Sequence, residues 1–164
     1  MENTVWLART GAQDLSTAVR TLLARALGLP APPRVDKDER GKPYLPDFPG
    51  LHISISHTRG AAAVALSDAP VGVDVEPAGR TLHDWFPARF FTEAERALAA
   101  CPEAVIEVWT RKEALLKRDG RGITLPLREV ETAGRADLST LRAGEFCVSF
   151  CGEPAAFRLV ETES

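Results

Sequence analysis

Cysteine is scarce in this sequence, with only Cys101, Cys147 and Cys151. The count is odd and the spacing matches no zinc or redox motif, so the thiols read as reduced and structural. A Cys147–Cys151 redox pair is the weaker alternative. Long apolar runs are also missing, and nothing approaches the length needed to span a bilayer. The start, "MENTVWLART", has neither the basic opening nor the apolar stretch of a signal peptide. The expected location is the cytoplasm. Neither sign of charge dominates: 20 Lys and Arg stand against 23 Asp and Glu, for a net −3. That balance offers no general basis for nucleic-acid binding, and neither nucleic acid nor membrane is an expected partner. Low-complexity segments and letter-level repeats are absent. So are the Walker A pattern, the G-x-S-x-G elbow and any H-E-x-x-H spacing.

What remains is an ordinary globular composition over 164 residues, 45% apolar and 26% charged. That length suits one domain or two very small ones. "TVWLA" reads as a first strand. Leu15, Ala18, Val19, Leu22, Leu23, Ala26 and Leu27 follow helical spacing, with Asp14 or Ser16 as cap and Gly28 with Pro30 as stop. Residues 30–49 are Pro-rich and charged, an irregular segment. "LHISISH" and "GAAAVALS" pattern as a hairpin around "TRG". "PVGVDVE" is a further strand, and "TEAERALAA" a helix whose Thr92 and Glu95 form a capping box. A long helix runs from about Pro102 to Asp119, ended by Gly120 and Gly122. "REVETA", "EFCVSFC" and "AAFRLVE" read as three closing strands. The order strand, helix, strands thus occurs twice. A break near Pro70 would divide the chain into two similar α+β halves, 1–69 and 70–164.

Four stretches could carry chemistry. In "GVDVE", Val71, Val73 and Val75 share one strand face, and Gly72, Asp74 and Glu76 share the other. Two carboxylates so spaced can converge on one hard cation such as Mg2+. A solvated strand face is the commoner meaning of an isolated D-x-E. Gly72 lets a ligand or another backbone come close. On the long helix, Lys112 falls amid the apolar side formed by Val105, Val108, Trp109, Leu115 and Leu116, with Glu113 at its edge. A lysine there either snorkels to water or meets an anion. Glu113 and Lys117 are four apart, which by itself suits a surface ion pair. Arg40 and Lys42 flank Gly41 and could grip phosphate, or belong to a plain polar turn. Ser56 and His57 end a strand on opposite faces, too awkwardly for a nucleophile–base pair. His57 alternates with Ile53 and Ile55, as a core histidine would.

Taken in order, "GKPYLP", "HISISHT", "GVDVE", "RFFTEAE" and "WTRKEALLK" resemble the 4′-phosphopantetheinyl transferases. The narrower likeness is to the surfactin-synthetase-activating type, in which one chain holds two similar halves. The likeness runs from about Leu15 to Leu127. G-x-D-x-E and W-x-x-K-E-x-x-x-K at this separation are its specific part. The resemblance implies a pseudo-twofold α+β fold with the active site between the halves, acting as a monomer. It implies an enzyme that moves 4′-phosphopantetheine from coenzyme A to a serine of an apo acyl or peptidyl carrier protein, releasing adenosine 3′,5′-bisphosphate. Asp74, Glu76 and Glu113 would hold Mg2+, or Mn2+ in vitro. Glu113 would also be a candidate base, directly or through water, and Lys117 a phosphate ligand. Arg40, Gly41, Lys42 and Pro43 would lie along the nucleotide, Ser56 and His57 at its 3′-phosphate, and Lys112 near the pyrophosphate.

Three departures stand out. Ser54 replaces the family's usual Asn. The basic residue expected before the first helix has only Arg9 as a candidate. The chain is shorter than usual for the type at both ends. The rival functions are a non-catalytic coenzyme A or carrier binder, and an Mg2+-dependent nucleotide hydrolase. The intact set Asp74, Glu76, Glu113 and Lys117 disfavours the first, and the lack of a clear water-activating residue apart from Glu113 disfavours the second. "LHDWFPARFF" is a candidate part of the carrier-docking surface.

Overall fold

Strands β1 (Thr4–Arg9), β4 (His52–Thr58) and β5 (Ala61–Ser67) form a sheet with β9 (Arg158–Glu163), in the order β4-β5-β1-β9. The computed structural model describes residues 2–11, 14–121 and 126–163. Within this first sheet β5 is antiparallel to both neighbours, and β9 runs parallel to β1, with Val5 opposite Leu159. A second sheet has the order β6-β8-β7, from β6 (Gly72–Pro77), β7 (Leu138–Ala143) and β8 (Phe146–Cys151). It is antiparallel throughout, with Asp74 opposite Ser149.

The alternation of the strands decides what lies between the sheets. Val5 and Leu7 of β1, Ala63 and Ala65 of β5, Val73 and Val75 of β6 and Val148 and Phe150 of β8 all point inward. Helix α1 (Leu15–Ala26) covers the outer face of the first sheet, burying Val19, Leu22 and Leu23 against Ala62, Val64 and Leu66. Its start is fixed by Asp14, whose carboxylate accepts from the Ser16 and Thr17 amides. The long helix α4 (Pro102–Asp119) covers the outer face of the second sheet and ends at Gly120, φ 79°. Gly122, the second stop read from the sequence, lies outside the described residues. Between β6 and α4 come two short helices, α2 (Phe86–Phe90) and α3 (Glu93–Leu98). The chain is therefore an α+β fold, helix and sheet on each side of one core. No helix among the described residues is long and apolar enough to cross a membrane.

Two sequence expectations change. "REVETA" is not a strand: Leu127–Glu129 form a 3-10 turn and the strand lies further on, at Leu138–Ala143. The Leu127 carbonyl, which accepts from the Val130 amide at 3.3 Å, and the Val130 carbonyl both also meet a side chain described below. The irregular segment after α1 contains a small hairpin, β2 (Asp36–Lys37) against β3 (Pro43–Tyr44). Its turn places Gly41 at φ 84°, which only glycine adopts without cost. Strand β9, near the end of the chain, returns to the sheet of β1.

Candidate active site

The edge strands β4 and β6 meet along a seam that is bridged by side chains. The Val73 amide donates to Ser54 Oγ at 3.0 Å and the Val75 amide donates to Ser56 Oγ at 3.3 Å. Two buried serines thus satisfy strand donors that a neighbouring carbonyl would otherwise take. Ser56 Oγ in turn donates to Asp74 Oδ1 at 2.8 Å.

Helix α4 crosses above β6 at very close range. A Cβ on Gly72 would lie 1.9 Å from the Ala114 carbonyl oxygen. Gly72 makes room for another backbone. The crossing brings Lys117 Nζ to 2.7 Å from Asp74 Oδ1 and 2.9 Å from Ser56 Oγ. The ion pair of Lys117 is therefore with Asp74 on β6, and the expected helical partner Glu113 is left for other work. Burial, reinforced by the charge of Asp74, pushes the Glu113 carboxyl up to about 7; Lys117 opposes this and Glu76 adds to it.

A cavity of about 160 Å³ opens beside these groups. Arg40, Gly41, Lys42 and Pro43 form one wall, Ile53, Ser54 and Ile55 of β4 the floor, and Glu113, Leu116, Lys117 and Gly120 the other wall. The β2–β3 turn is held to α4 by Lys42, whose Nζ donates to the Arg118 carbonyl at 2.6 Å and whose stem lies along Gly120. Burial lowers the Lys42 pKa.

Not every residue singled out in the sequence faces this cavity. Lys112 does not: its side chain is fully buried, with Nζ 2.7 Å from Glu95 Oε2 and donating to the Leu127 and Val130 carbonyls at 2.7 and 2.6 Å. An ammonium has three donors, and all three are taken within the protein. The anion that Lys112 meets is a carboxylate from α3, which a helical projection of α4 alone could not reveal. Burial lowers its pKa against the pull of Glu95. Ser56 is buried beneath Asp74, while His57 is exposed on the opposite face and is no core histidine. Arg9 pairs with Glu161 of β9 at 2.9 Å. Burial raises the thiols of Cys147 and Cys151, both free, which argues against thiolate chemistry.

The three carboxylates are near enough to influence one another, yet Asp74 and Glu76 are separately engaged, Asp74 with Lys117 and Ser56. Glu76 pairs with Arg80 at 2.5 Å and accepts from Thr58. Among the described residues no group of three His, Cys, Asp or Glu side chains is gathered to hold a metal ion. Like charges separate when nothing cationic binds them together. Asp74 Oδ2 is nevertheless buried without any hydrogen-bond partner among the described residues. An orphaned carboxylate oxygen costs free energy unless a cation or donor meets it. With the protonatable Glu113 beside it, the donor set suits a hard, oxygen-seeking cation.

The capping-box pattern pointed to Glu95, and the box is present. It gave no sign that the same carboxylate also accepts from the Thr132 amide and hydroxyl and from Lys112. Arg80 as the partner of Glu76 left no sequence signal beyond its i+4 position.

Comparison with known proteins agrees with this architecture. The profile of the 4′-phosphopantetheinyl transferase superfamily (ACPS) matches residues 70–163, more than half of the chain. A 4′-phosphopantetheinyl transferase of Bacillus subtilis is 35% identical over 116 residues, 66% of this chain and 51% of the relative. Sfp of Bacillus subtilis strain 168 is 32% identical over 100 residues, 57% of this chain and 44% of the relative. AcpT of Escherichia coli K12 is 33% identical over 131 residues, 74% and 65% respectively. The chain thus spans about half the length of the Bacillus relatives it matches. By the superfamily match together with these identities, the chain belongs to the 4′-phosphopantetheinyl transferase superfamily.

Proposed function

We propose that this protein transfers the 4′-phosphopantetheine group of coenzyme A to a serine hydroxyl of an apo acyl or peptidyl carrier protein, leaving adenosine 3′,5′-bisphosphate. It acts as a cytoplasmic monomer, with residues 1–69 and 70–164 as its pseudo-twofold halves. The observation that supports this most is one juxtaposition: the Lys117–Asp74 pair and the partly buried Glu113 border a cavity walled by Arg40–Pro43.

Each residue has a physical task in that reaction. Arg40 and the Gly41 backbone approach the nucleotide from the β2–β3 turn, with Pro43 beside them. Lys42 supplies charge at the same wall once a phosphate competes with the Arg118 carbonyl. Lys117 neutralises phosphate oxygens as the bond to the leaving phosphate breaks. His57, exposed at the strand end, is available to the 3′-phosphate. Glu113 accepts the proton of the carrier serine, directly or through a water, as its oxygen attacks phosphorus. No covalent protein intermediate is needed.

Mg2+ is the proposed cofactor, held by Asp74 and Glu113, with Glu76 joining after it releases Arg80. When bound it supplies charge neutralisation at the pyrophosphate. The support is the orphaned Asp74 Oδ2 and the mutual repulsion of the three carboxylates.

The test is direct. Incubate the protein with coenzyme A, Mg2+ and a panel of fatty-acid, polyketide and peptide apo-carriers, then weigh the carriers by mass spectrometry. A phosphopantetheine mass gain is expected on at least one. No gain on any carrier would overturn the transferase assignment and favour a non-catalytic binder.

A further inference from the structure

We infer that Arg80 is a built-in competitor for the cation: it occupies Glu76 until a metal displaces it, and thereby sets how much metal the site requires. This rests on the transferase reading above. The carboxylates of β6 are not equally open. Asp74 keeps Oδ2 without a protein partner, although Lys117 and Ser56 hold its Oδ1. On Glu76 both oxygens are taken. Arg80 Nη1 meets Oε1 at 2.5 Å, and the Thr58 hydroxyl donates to Oε2 at 3.3 Å. A threonine hydroxyl rotates and can turn away from so long a bond. A guanidinium is always charged, and it cannot share the carboxylate with a divalent cation without bringing like charges together.

The turn that ends β6 puts Arg80 there. The Arg80 amide donates to the Pro77 carbonyl at 3.0 Å and closes that turn. The Ala78 amide donates to the Glu145 carbonyl at 2.7 Å, and Ala78 is buried, which pins the turn to the β7–β8 connection. The backbone carrying the guanidinium is thus anchored beside the carboxylate. The two side chains differ in their alternatives. That of Arg80 is 45% exposed and can swing into water, while that of Glu76 is 13% exposed and depends more on a partner. Ion pairs with an exposed member are weak. The contact keeps a cation beside Glu76 in the metal-free protein and gives way to a divalent ion.

Competition of this kind has a quantitative signature. A ligand that is free for only part of the time binds with an apparent affinity reduced by that fraction. For a pair this exposed the reduction is about 2–5-fold. It acts on the metal concentration alone. Once metal saturates the site, Arg80 is displaced in every molecule, and coenzyme A affinity no longer depends on it.

The experiment measures coenzyme A binding by titration calorimetry at stepped Mg2+ concentrations. It compares wild type, Arg80→Ala, Arg80→Lys, Glu76→Gln and the Arg80→Ala/Glu76→Gln double variant, with melting temperatures to verify folding. Arg80→Ala is expected to lower the Mg2+ concentration for half-maximal enhancement by about 2–5-fold, with coenzyme A affinity at saturating Mg2+ unchanged. Arg80→Lys keeps a cation and should shift the midpoint less. In the Glu76→Gln background Arg80→Ala should produce no shift, because the carboxylate it competes for is gone. An unchanged or higher Mg2+ requirement in Arg80→Ala would overturn the proposal. So would an equal shift in the Glu76→Gln background, which would reduce Arg80 to a general effect of positive charge. Weaker coenzyme A binding by Arg80→Ala at saturating Mg2+ would make Arg80 a direct ligand of coenzyme A and also overturn it, as would wild-type binding indifferent to Mg2+. A wild type that binds coenzyme A with Mg2+ but loads no carrier would overturn the transferase reading alone, because these binding measurements require no turnover.

Discussion

Lys112 and Glu95 form an ion pair sealed from solvent, Nζ to Oε2 2.7 Å, with both side chains at 0% exposure. The pair ties α4 to α3, and the two carbonyls on Lys112 tie both to the 127–130 turn. Lys112→Met should leave Glu95 charged and unpaired in the interior, at a cost of about 3–5 kcal/mol. Urea denaturation will show the loss, and Lys112→Met combined with Glu95→Gln should recover part of it. Little or no destabilisation in the single variant would refute the structural role. Coenzyme A affinity per folded molecule should change little, because Lys112 does not reach the cavity.

Gly72 and Ala114 fix how closely α4 approaches β6. A Cβ on Gly72 would meet the Ala114 oxygen at 1.9 Å and the Arg118 nitrogen at 2.5 Å, both backbone atoms. Overpacking against rigid neighbours costs about 1–3 kcal/mol. Gly72→Ala should lose that much stability and also lower kcat, since a displaced α4 carries Lys117 and Glu113 away from Asp74. Denaturation together with carrier loading measures both. Wild-type stability would mean that the helix yields freely.

Glu113 should make the metal-free protein pH-sensitive. Its carboxyl is raised from an ordinary 4.5 to about 7 by burial, then by the charges of Asp74 and Glu76. Below the unfolded value both states are protonated and nothing is lost. As pH rises from 4.5 through 7 the unfolded chain ionises first, so stability falls. Glu113→Gln should therefore match wild type near pH 4.5 and exceed it at pH 8 by roughly 1–3 kcal/mol, measured by denaturation in EDTA. The same substitution should abolish transfer, measured by carrier loading with Mg2+ present. Full activity in Glu113→Gln would remove it from the mechanism.

Trp85 is 53% exposed, stacked on His83 at 5.5 Å, with the Arg89 guanidinium 5.9 Å from its ring. Exposed aromatics beside arginine are common anchors at protein interfaces. Trp85→Ala should raise KM for the carrier by about tenfold and leave that for coenzyme A unchanged. Steady-state kinetics with each substrate varied in turn will separate the two, and an unchanged carrier KM would place docking elsewhere.

Much of this protein was legible one segment at a time. The spacing of Leu15 to Leu27 marked α1, and Asp14 caps it. Alternation put Val73 and Val75 inside and Asp74 and Glu76 on the other face. The order of short motifs named the family. These signals are local, because helix and strand periods, caps and turn glycines act within a few residues of chain.

Tertiary structure alone decided the partners. Lys112 stood out as a charge on an apolar side, and only folding could bring Glu95 to it. Lys117 had a favourable helical neighbour in Glu113, yet it pairs with Asp74, 43 residues away. Ser56 looked like a strand-end hydroxyl and proved to be one of the links between two sheets. The reason is physical. A residue type fixes which interactions a side chain must satisfy once buried. Which group satisfies them depends on which strands and helices pack together, and that is set by burial of the whole core.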